Sequence, residues 1–237
     1  MNKNKLTSDV ITEHIFEIQH EANGLFLDKK GQIADIIRAS EIFSDWRIDA
    51  NGIQLYNAKA ITKEKEAIIS YNLVRFTVFD PPTKNYFEDQ TEKFFRILQN
   101  SKLYNVPEIK RVGVRTKCFV PCDLQFEEIN KKICTIFFKE NTLNLFGGQQ
   151  KDLQIIVEIK EKDFEIRTLV GPIKKNEAFK YFGFKSEILS TTGIYIDIDC
   201  FKSQRFNSNN KNIKILIDES MKMTWNRISI LLDSMGV

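Results

Sequence analysis

Apolar and polar residues alternate along several stretches of this chain, most clearly over residues 110–121, KRVGVRTKCFVP. In a strand, a period of two sends Val112, Val114, Thr116, Cys118 and Val120 to one face and Arg111, Gly113, Arg115 and Lys117 to the other. One face is core and the other cationic. Residues 193–200 repeat the pattern, with Ile194, Ile196, Ile198 and Cys200 inward and Tyr195, Asp197 and Asp199 outward. Residues 13–19 set His14, Phe16 and Ile18 against Ile15 and Glu17, which predicts a first strand or an extended arm. Residues 46–48 and 53–56 flank Asp49-Ala50-Asn51-Gly52, and because Asn-Gly tolerates positive φ a hairpin is expected there. After a charged patch at 62–66, residues 67–79 read as one long strand, with Val74, Phe76 and Val78 opposite Leu73, Arg75, Thr77 and Phe79; Asp80-Pro81-Pro82 ends it. Past a turn at Gly147-Gly148, residues 153–160 and 164–170 predict a second hairpin around Glu161-Lys162-Asp163.

Helical spacing appears between these strands. Asp28 is a candidate N-cap for a helix with Ile33, Ile36, Ile37 and Ser40 on one face, ending before Phe43. Thr83 or Asn85 caps a second, running to about Gln99 with Phe87, Phe94, Phe95 and Leu98 towards the core. Asp123 caps a third over 124–139, carrying Leu124, Ile129, Ile133, Ile136 and Phe137. A polar loop at 203–211 leads to a fourth over 213–233, burying Leu216, Ile217, Met221, Trp225, Ile228, Leu231 and Leu232, with Gly236 just past its end. The 176–192 region, rich in aromatics, follows neither period.

Hairpins interleaved with helices predict an α+β fold: a mainly antiparallel sheet with helices packed on one face. The strand, loop and helix over 71–99 echo those over 193–233, an internal duplication of strand-loop-helix units in pattern rather than identity. The chain reads as one domain over 1–237, with halves at 1–121 and 122–237 if it is duplicated. A composition 42% hydrophobic with 19 Phe is that of a chain that folds, and a net charge of +3 is too small to imply a nucleic-acid partner by itself. Cys118, Cys122, Cys134 and Cys200 form no CxxC pair and sit on apolar faces, as reduced core thiols do; with no signal-peptide core or membrane-length apolar run, a cytoplasmic protein with no membrane partner is expected.

With helices on one side, the outward strand residues share the other. They are Arg75, Arg111, Arg115, Lys117, Lys160 and Arg167, with Glu158, Glu165, Asp197 and Asp199. Two accounts of this mixed face stand side by side. It is a solvated surface whose charges pair across strands, or a binding surface where arginines supply bidentate hydrogen bonds. A sharper chemical alternative is Glu158-Ile159-Lys160, which resembles the E-x-K half of restriction-like nucleases, where acidic groups hold a divalent metal such as Mg beside a lysine. That reading makes Glu158 and Lys160 catalytic and recruits Asp197 and Asp199 as further ligands, but the upstream acidic residue of the pattern is missing: Asp152 lies too close and Asp123 at a helix start. Otherwise neither metal nor cofactor is expected. The two histidines, His14 and His20, stand outside any zinc or triad motif, and no phosphate-binding loop or dinucleotide fingerprint is present.

The segment from Phe26 to Gly31, the basic strand Arg111-Val-Gly-Val-Arg115, the strand Ile196-Asp-Ile-Asp199 and the long last helix together resemble a sporadically distributed family of uncharacterised bacterial proteins of similar length. The resemblance departs after Arg115, where Thr116-Lys117-Cys118 replaces a polar aromatic pattern. It implies a small cytoplasmic α+β protein from a mobile or anti-phage defence locus and carries over no catalytic residue. The resulting expectation is a non-catalytic interaction or regulatory subunit. It would use the charged sheet face or an exposed aromatic loop to meet a protein partner or a second copy, with Arg75, Arg111, Arg115, Lys117, Arg167 and Tyr195 as binding residues. The alternatives are the metal-dependent nuclease and a single-strand nucleic-acid binder in which the arginines meet phosphate and Tyr195 stacks on bases.

Overall fold

A computed structural model describes residues 10–57, 64–139, 147, 150–203 and 210–236. The parts of the expected charged patch, Gly147-Gly148 turn and polar loop that fall at 62–63, 148 and 204–209 lie outside the described residues. The chain runs β1 (Ile11–His20), α1 (Leu25–Ala39), β2 (Asp45–Ile48), β3 (Gly52–Tyr56), β4 (Lys65–Ser70), β5 (Leu73–Phe79) and α2 (Tyr86–Asn100). It continues β6 (Ile109–Pro121), α3 (Phe126–Phe137), β7 (Ile155–Glu161), β8 (Phe164–Ile173), β9 (Gly193–Lys202) and α4 (Asn210–Met235). The nine strands form one sheet in the order β2-β3-β4-β5-β1-β6-β9-β8-β7, antiparallel at every pairing. The α+β architecture expected from the periodicity is the one observed.

The order contains a repeat. In the first unit β1 lies at the sheet centre, α1 carries the chain to the edge, β2 to β5 meander back to pair with β1, and α2 closes the unit. In the second, β6 is central, α3 crosses outward, β7 to β9 return to β6, and α4 closes. The echo noticed in sequence is β5–α2 against β9–α4, the closing part of each unit. The repeat divides between α2 and β6, ahead of the division at 121/122, so the basic strand opens the second unit.

All four helices contribute to one apolar layer against one sheet face. Phe26, Ile33 and Ile37 of α1, Phe87, Phe94, Phe95 and Leu98 of α2, Ile129 and Ile133 of α3, and Ile213, Leu216, Ile217 and Met221 of α4 meet Phe16, Ile18, Val74, Phe76, Val112, Val114, Ile196 and Ile198. At its centre the rings of Phe16 and Phe95 meet edge-on at 4.9 Å and those of Phe76 and Phe94 stack at 5.2 Å. Each such ring contributes roughly 1.5–3 kcal/mol by burial. The predicted inward apolar residues of β6 and β9 are all in this layer, Cys118 and Cys200 included, and Thr116 is buried beside them.

Several expectations are corrected. The single strand over 67–79 is the hairpin β4–β5, turned at Tyr71-Asn72 with Ser70 Oγ bonded to Asn72. The turn shifts the phase, with Ala67 and Ile69 inward before it and Val74, Phe76 and Val78 inward after it, but apolar Ile68 beside Ile69 blurs that shift in the sequence. The β2–β3 hairpin forms as expected but for a different reason. Asp49 accepts hydrogen bonds from the backbone N–H of Asn51 and Gly52, and Gly52 is needed because a Cβ there would lie 2.6 Å from the Ile69 carbonyl oxygen. Helix α1 starts three residues before Asp28, and α3 starts after Gln125, whose capping box with Glu128 displaces Asp123 from that role. Ile36, Ile136 and Phe137 face solvent, and Trp225 and Leu231 are only half-buried, because the helices sit on a sheet rather than inside a bundle and bury a narrower stripe.

The unassigned 176–192 region is a strap with two short 3-10 turns, Ala178–Lys180 and Glu187–Ser190. It folds back over one end of the sheet face that the helices leave bare. Phe182, Phe184 and Leu189 of the strap form a second, smaller core with Ile11, Phe79, Phe119 and Tyr195.

Candidate functional site

Sheet register decides which charges become neighbours on the helix-free face. Strand β1 sits between β5 and β6, with Glu17 opposite Arg75 and Gly113, and Glu13 opposite Phe79 and Lys117. On the far side of β6, Arg115 lies opposite Asp199 and Lys117 opposite Asp197. Three ion-pair groups result. Arg75 places Nε and Nη2 at 2.7 and 2.6 Å from Glu17 Oε2, and Gln19 donates to the other oxygen at 2.6 Å. Arg111 donates to Asp199 at 2.7 Å, reaches towards Glu17 at 3.9 Å and lies 4.1 Å over the Phe201 ring. Arg115 grips Asp197 through two parallel bonds of 2.9 and 2.6 Å, and Asp197 also accepts from the Tyr195 hydroxyl at 3.1 Å.

The fourth cation anchors the strap. Lys117 Nζ donates to Glu13 at 2.6 Å and to the Tyr181 carbonyl at 2.9 Å, while the other Glu13 oxygen accepts the Gly183 backbone N–H at 2.6 Å. Glu13 is almost wholly buried by this arrangement. Between the strap and the middle of the sheet lies a concavity of about 440 Å³. Ile15, Ile68 and Thr77 form its floor, and Glu13, Glu17, Arg75, Arg111, Arg115 and Lys117 are among its walls.

Burial and pairing fix the charge states. The hydrogen bond to Asp197 holds the Arg115 guanidinium well above its ordinary value, so it stays charged. Desolvation pushes the Asp199 carboxyl up, opposed by Arg111 beside it. Burial and then the Asp197 charge raise the Tyr195 phenol, which remains a donor. On the helix side, complete burial lowers His14 to about 3, a neutral imidazole bonded to Thr116 Oγ1 at 2.9 Å and packed on Phe87. His20 is likewise lowered by burial and sits 2.6 Å from the Tyr104 hydroxyl. Both histidines are parts of the core.

Of the residues expected at a site, Arg75, Arg111, Arg115 and Lys117 come together around the concavity, with Asp197 and Asp199 as their partners. Arg167 stands one strand further out, paired at 3.3 Å with Glu158 across an exposed part of the sheet. Tyr195 faces the same side but is only 3% exposed, its ring 4.6 Å from Tyr181 and 5.9 Å from Phe182, which removes the expected stacking platform for bases. Glu158 and Lys160 lie on the outermost strand, and β8 separates Glu158 from Asp199 by two strand spacings, about 10 Å. The structure therefore does not bring Glu158, Asp197 and Asp199 together, and no three His, Cys, Asp or Glu side chains among the described residues are grouped to hold a metal. Glu13, Glu17 and Gln19 complete the site and were missed. Glu17 was legible as outward-facing, but only the pairing of β1 with both β5 and β6 makes these residues neighbours of the arginines.

No helix among the described residues is long and apolar enough to cross a membrane. No family model matches the chain, and no curated protein matches it either.

Proposed function

We propose that this protein is a non-catalytic interaction subunit whose recognition surface is the concavity on the helix-free face of β4, β5, β1, β6 and β9. The observation that carries the reading is the combination of a concave, half-enclosed sheet face with cations already fixed by carboxylates of the same face. Ordered arginines lose little freedom on binding, and alternating signs across adjacent strands favour a partner surface that matches the pattern. A protein partner fits this better than a polyanion. Binding to nucleic acid draws on cations that are free to replace counterions on phosphate, and here Arg75, Arg111, Arg115 and Lys117 each face a carboxylate at 2.6–2.9 Å that a phosphate would have to displace. The nuclease alternative draws no support from the placement of Glu158 and Lys160 on an exposed outer strand away from the concavity. A place in a bacterial anti-phage or similar accessory locus rests on the family resemblance alone, and the adjacent genes test it.

The experiment is a comparison of three assays, partner capture, oligonucleotide binding and cleavage, on the purified chain and four variants. Ile15→Arg fills the floor of the concavity without removing an ion pair; Ile230→Arg changes an exposed position on α4. Partner capture from the native host is expected to be lost in the first and kept in the second. Salt-sensitive binding of a single-stranded oligonucleotide that is lost on Arg111→Ala with Arg115→Ala would instead support the nucleic-acid reading, and metal-dependent cleavage lost on Glu158→Ala the nuclease.

A further inference from the structure

The outer edge of β7 is built unlike the opposite edge of the sheet. Strand β2 has four residues, packs against α1, and its turn is held by Lys30, which donates to the Asp49 carbonyl at 2.8 Å. Strand β7 has seven, from Ile156 onward all exposed, with Ile156 50%, Val157 43% and Ile159 44% exposed. Among the described residues its backbone pairs on one side only, with β8. An edge strand of this length is a template for a further strand; proteins keep such an edge single with charges, above all lysine, or a proline, but charges of opposite sign at matching positions can instead pair across the edge with a second strand. Here the outward-facing charges are of opposite sign, Glu158 and Lys160, two residues apart.

That spacing has a consequence under twofold symmetry. If β7 of one chain pairs antiparallel with β7 of a second about an axis through Ile159, Glu158 faces Lys160 of the second copy and Lys160 faces its Glu158. Ile159 then meets Ile159, and the exposed Val157 side chains are covered on the helix side. Moving the axis to Glu158 would oppose two carboxylates, so the charges select a register as well as permitting one. Glu158 is free to take part, since its pair with Arg167 within the chain is solvent-exposed on both sides, 72% and 43%. We propose that the protein forms a homodimer by antiparallel pairing of β7 with β7 about Ile159, extending the sheet through both chains, and that Glu158-x-Lys160 is the self-complementary code of that contact. The occupant is a second copy because β7 itself supplies both members of each reciprocal charge pair, while the same tripeptide at Glu108-Ile109-Lys110 lies at the start of β6, inside the sheet between β1 and β9. The contact lies at the sheet edge and is independent of the partner surface on the concavity.

The test is sedimentation equilibrium of the full chain and three variants, with circular dichroism to confirm folding. The wild type is expected to show a reversible monomer–dimer equilibrium. Glu158→Lys and Lys160→Glu each place like charges opposite one another twice and should weaken the dimer by about tenfold or more. The double exchange Glu158→Lys with Lys160→Glu should restore it, because the reciprocal pairs re-form with signs reversed. A wild type that stays monomeric at all accessible concentrations overturns the proposal. So does a dimer indifferent to the single exchanges, as one formed through the concavity or an exposed helix face would be, or a double exchange that fails to restore a correctly folded dimer.

Discussion

Asp197 shows how one residue ties stability to the surface. Its side chain is 7% exposed, held by Arg115 and the Tyr195 hydroxyl, whereas Glu158 and Arg167 form a pair open to water. Arg115→Ala strands a buried carboxylate and is expected to cost about 2–3 kcal/mol in urea unfolding, less than a fully buried pair because Arg115 itself reaches solvent; Arg167→Ala should cost less than about 1 kcal/mol. Equal losses would contradict the assignment. His14 adds a pH dependence of definite sign. Its folded value near 3 lies below the unfolded value of about 6.5, so the unfolded chain binds the proton that the native state refuses. Its contribution is complete above pH 6.5 and is lost as pH falls below it, with a limiting slope of about 1.4 kcal/mol per pH unit. His20, lowered in the same direction, adds to the same window. Unfolding free energies measured between pH 7 and 5 should fall on acidification, and His14→Gln should flatten the fall. At this scale the sequence was informative wherever alternation fixes a side, which is why Arg111, Arg115, Asp197 and Asp199 are found on one face. It was silent on whether a strap covers that face, and so Tyr195 reads as exposed when it is buried.

Among elements, the strap over 176–192 governs how much of the sheet is available. Its polar attachment is Glu13, which accepts from Gly183 and holds Lys117 in reach of the Tyr181 carbonyl; its apolar attachment is Phe182 and Phe184. Glu13→Ala removes the first and leaves the second. Hydrogen exchange of the amides in 176–192, Gly183 above all, should accelerate while the paired amides of β6 and β9 keep their protection. Unchanged exchange at Gly183 would show that the aromatic contacts suffice. The strap was illegible because its aromatics follow neither helical nor strand spacing; they pack on a sheet end whose position only the tertiary fold sets. The β4–β5 turn was hidden for a different reason: the inward phase changes from Ala67 and Ile69 to Val74, Phe76 and Val78, but adjacent apolar Ile68 and Ile69 leave no clean phase to read before the turn. Strands β6 and β9, covered on one side by the helix layer with α4 on both and α3 on β9, carry the strongest pattern, and the face each residue takes was read correctly even where, as at Tyr195, its exposure was not.

At the scale of the molecule, two units of strand, helix, meander and helix meet at the β1–β6 pair, and the candidate surface spans that junction. Arg75 and Glu17 come from the first unit, Arg111, Arg115, Lys117, Asp197 and Asp199 from the second, with Glu17 between Arg75 and Arg111. Neither unit alone assembles the concavity. The sequence showed the fold class and half of the repeat, but the pairing of β1 with β6 is a contact across about a hundred residues that no local pattern encodes. The central claim, that the face at this junction is where a partner protein docks, is tested most directly by quantifying host proteins retained by the wild type, Ile15→Arg and Ile230→Arg, each shown to be folded. The account predicts a specific partner retained by the wild type and by Ile230→Arg and lost with Ile15→Arg. Retention of the same partner by Ile15→Arg at wild-type levels would contradict it.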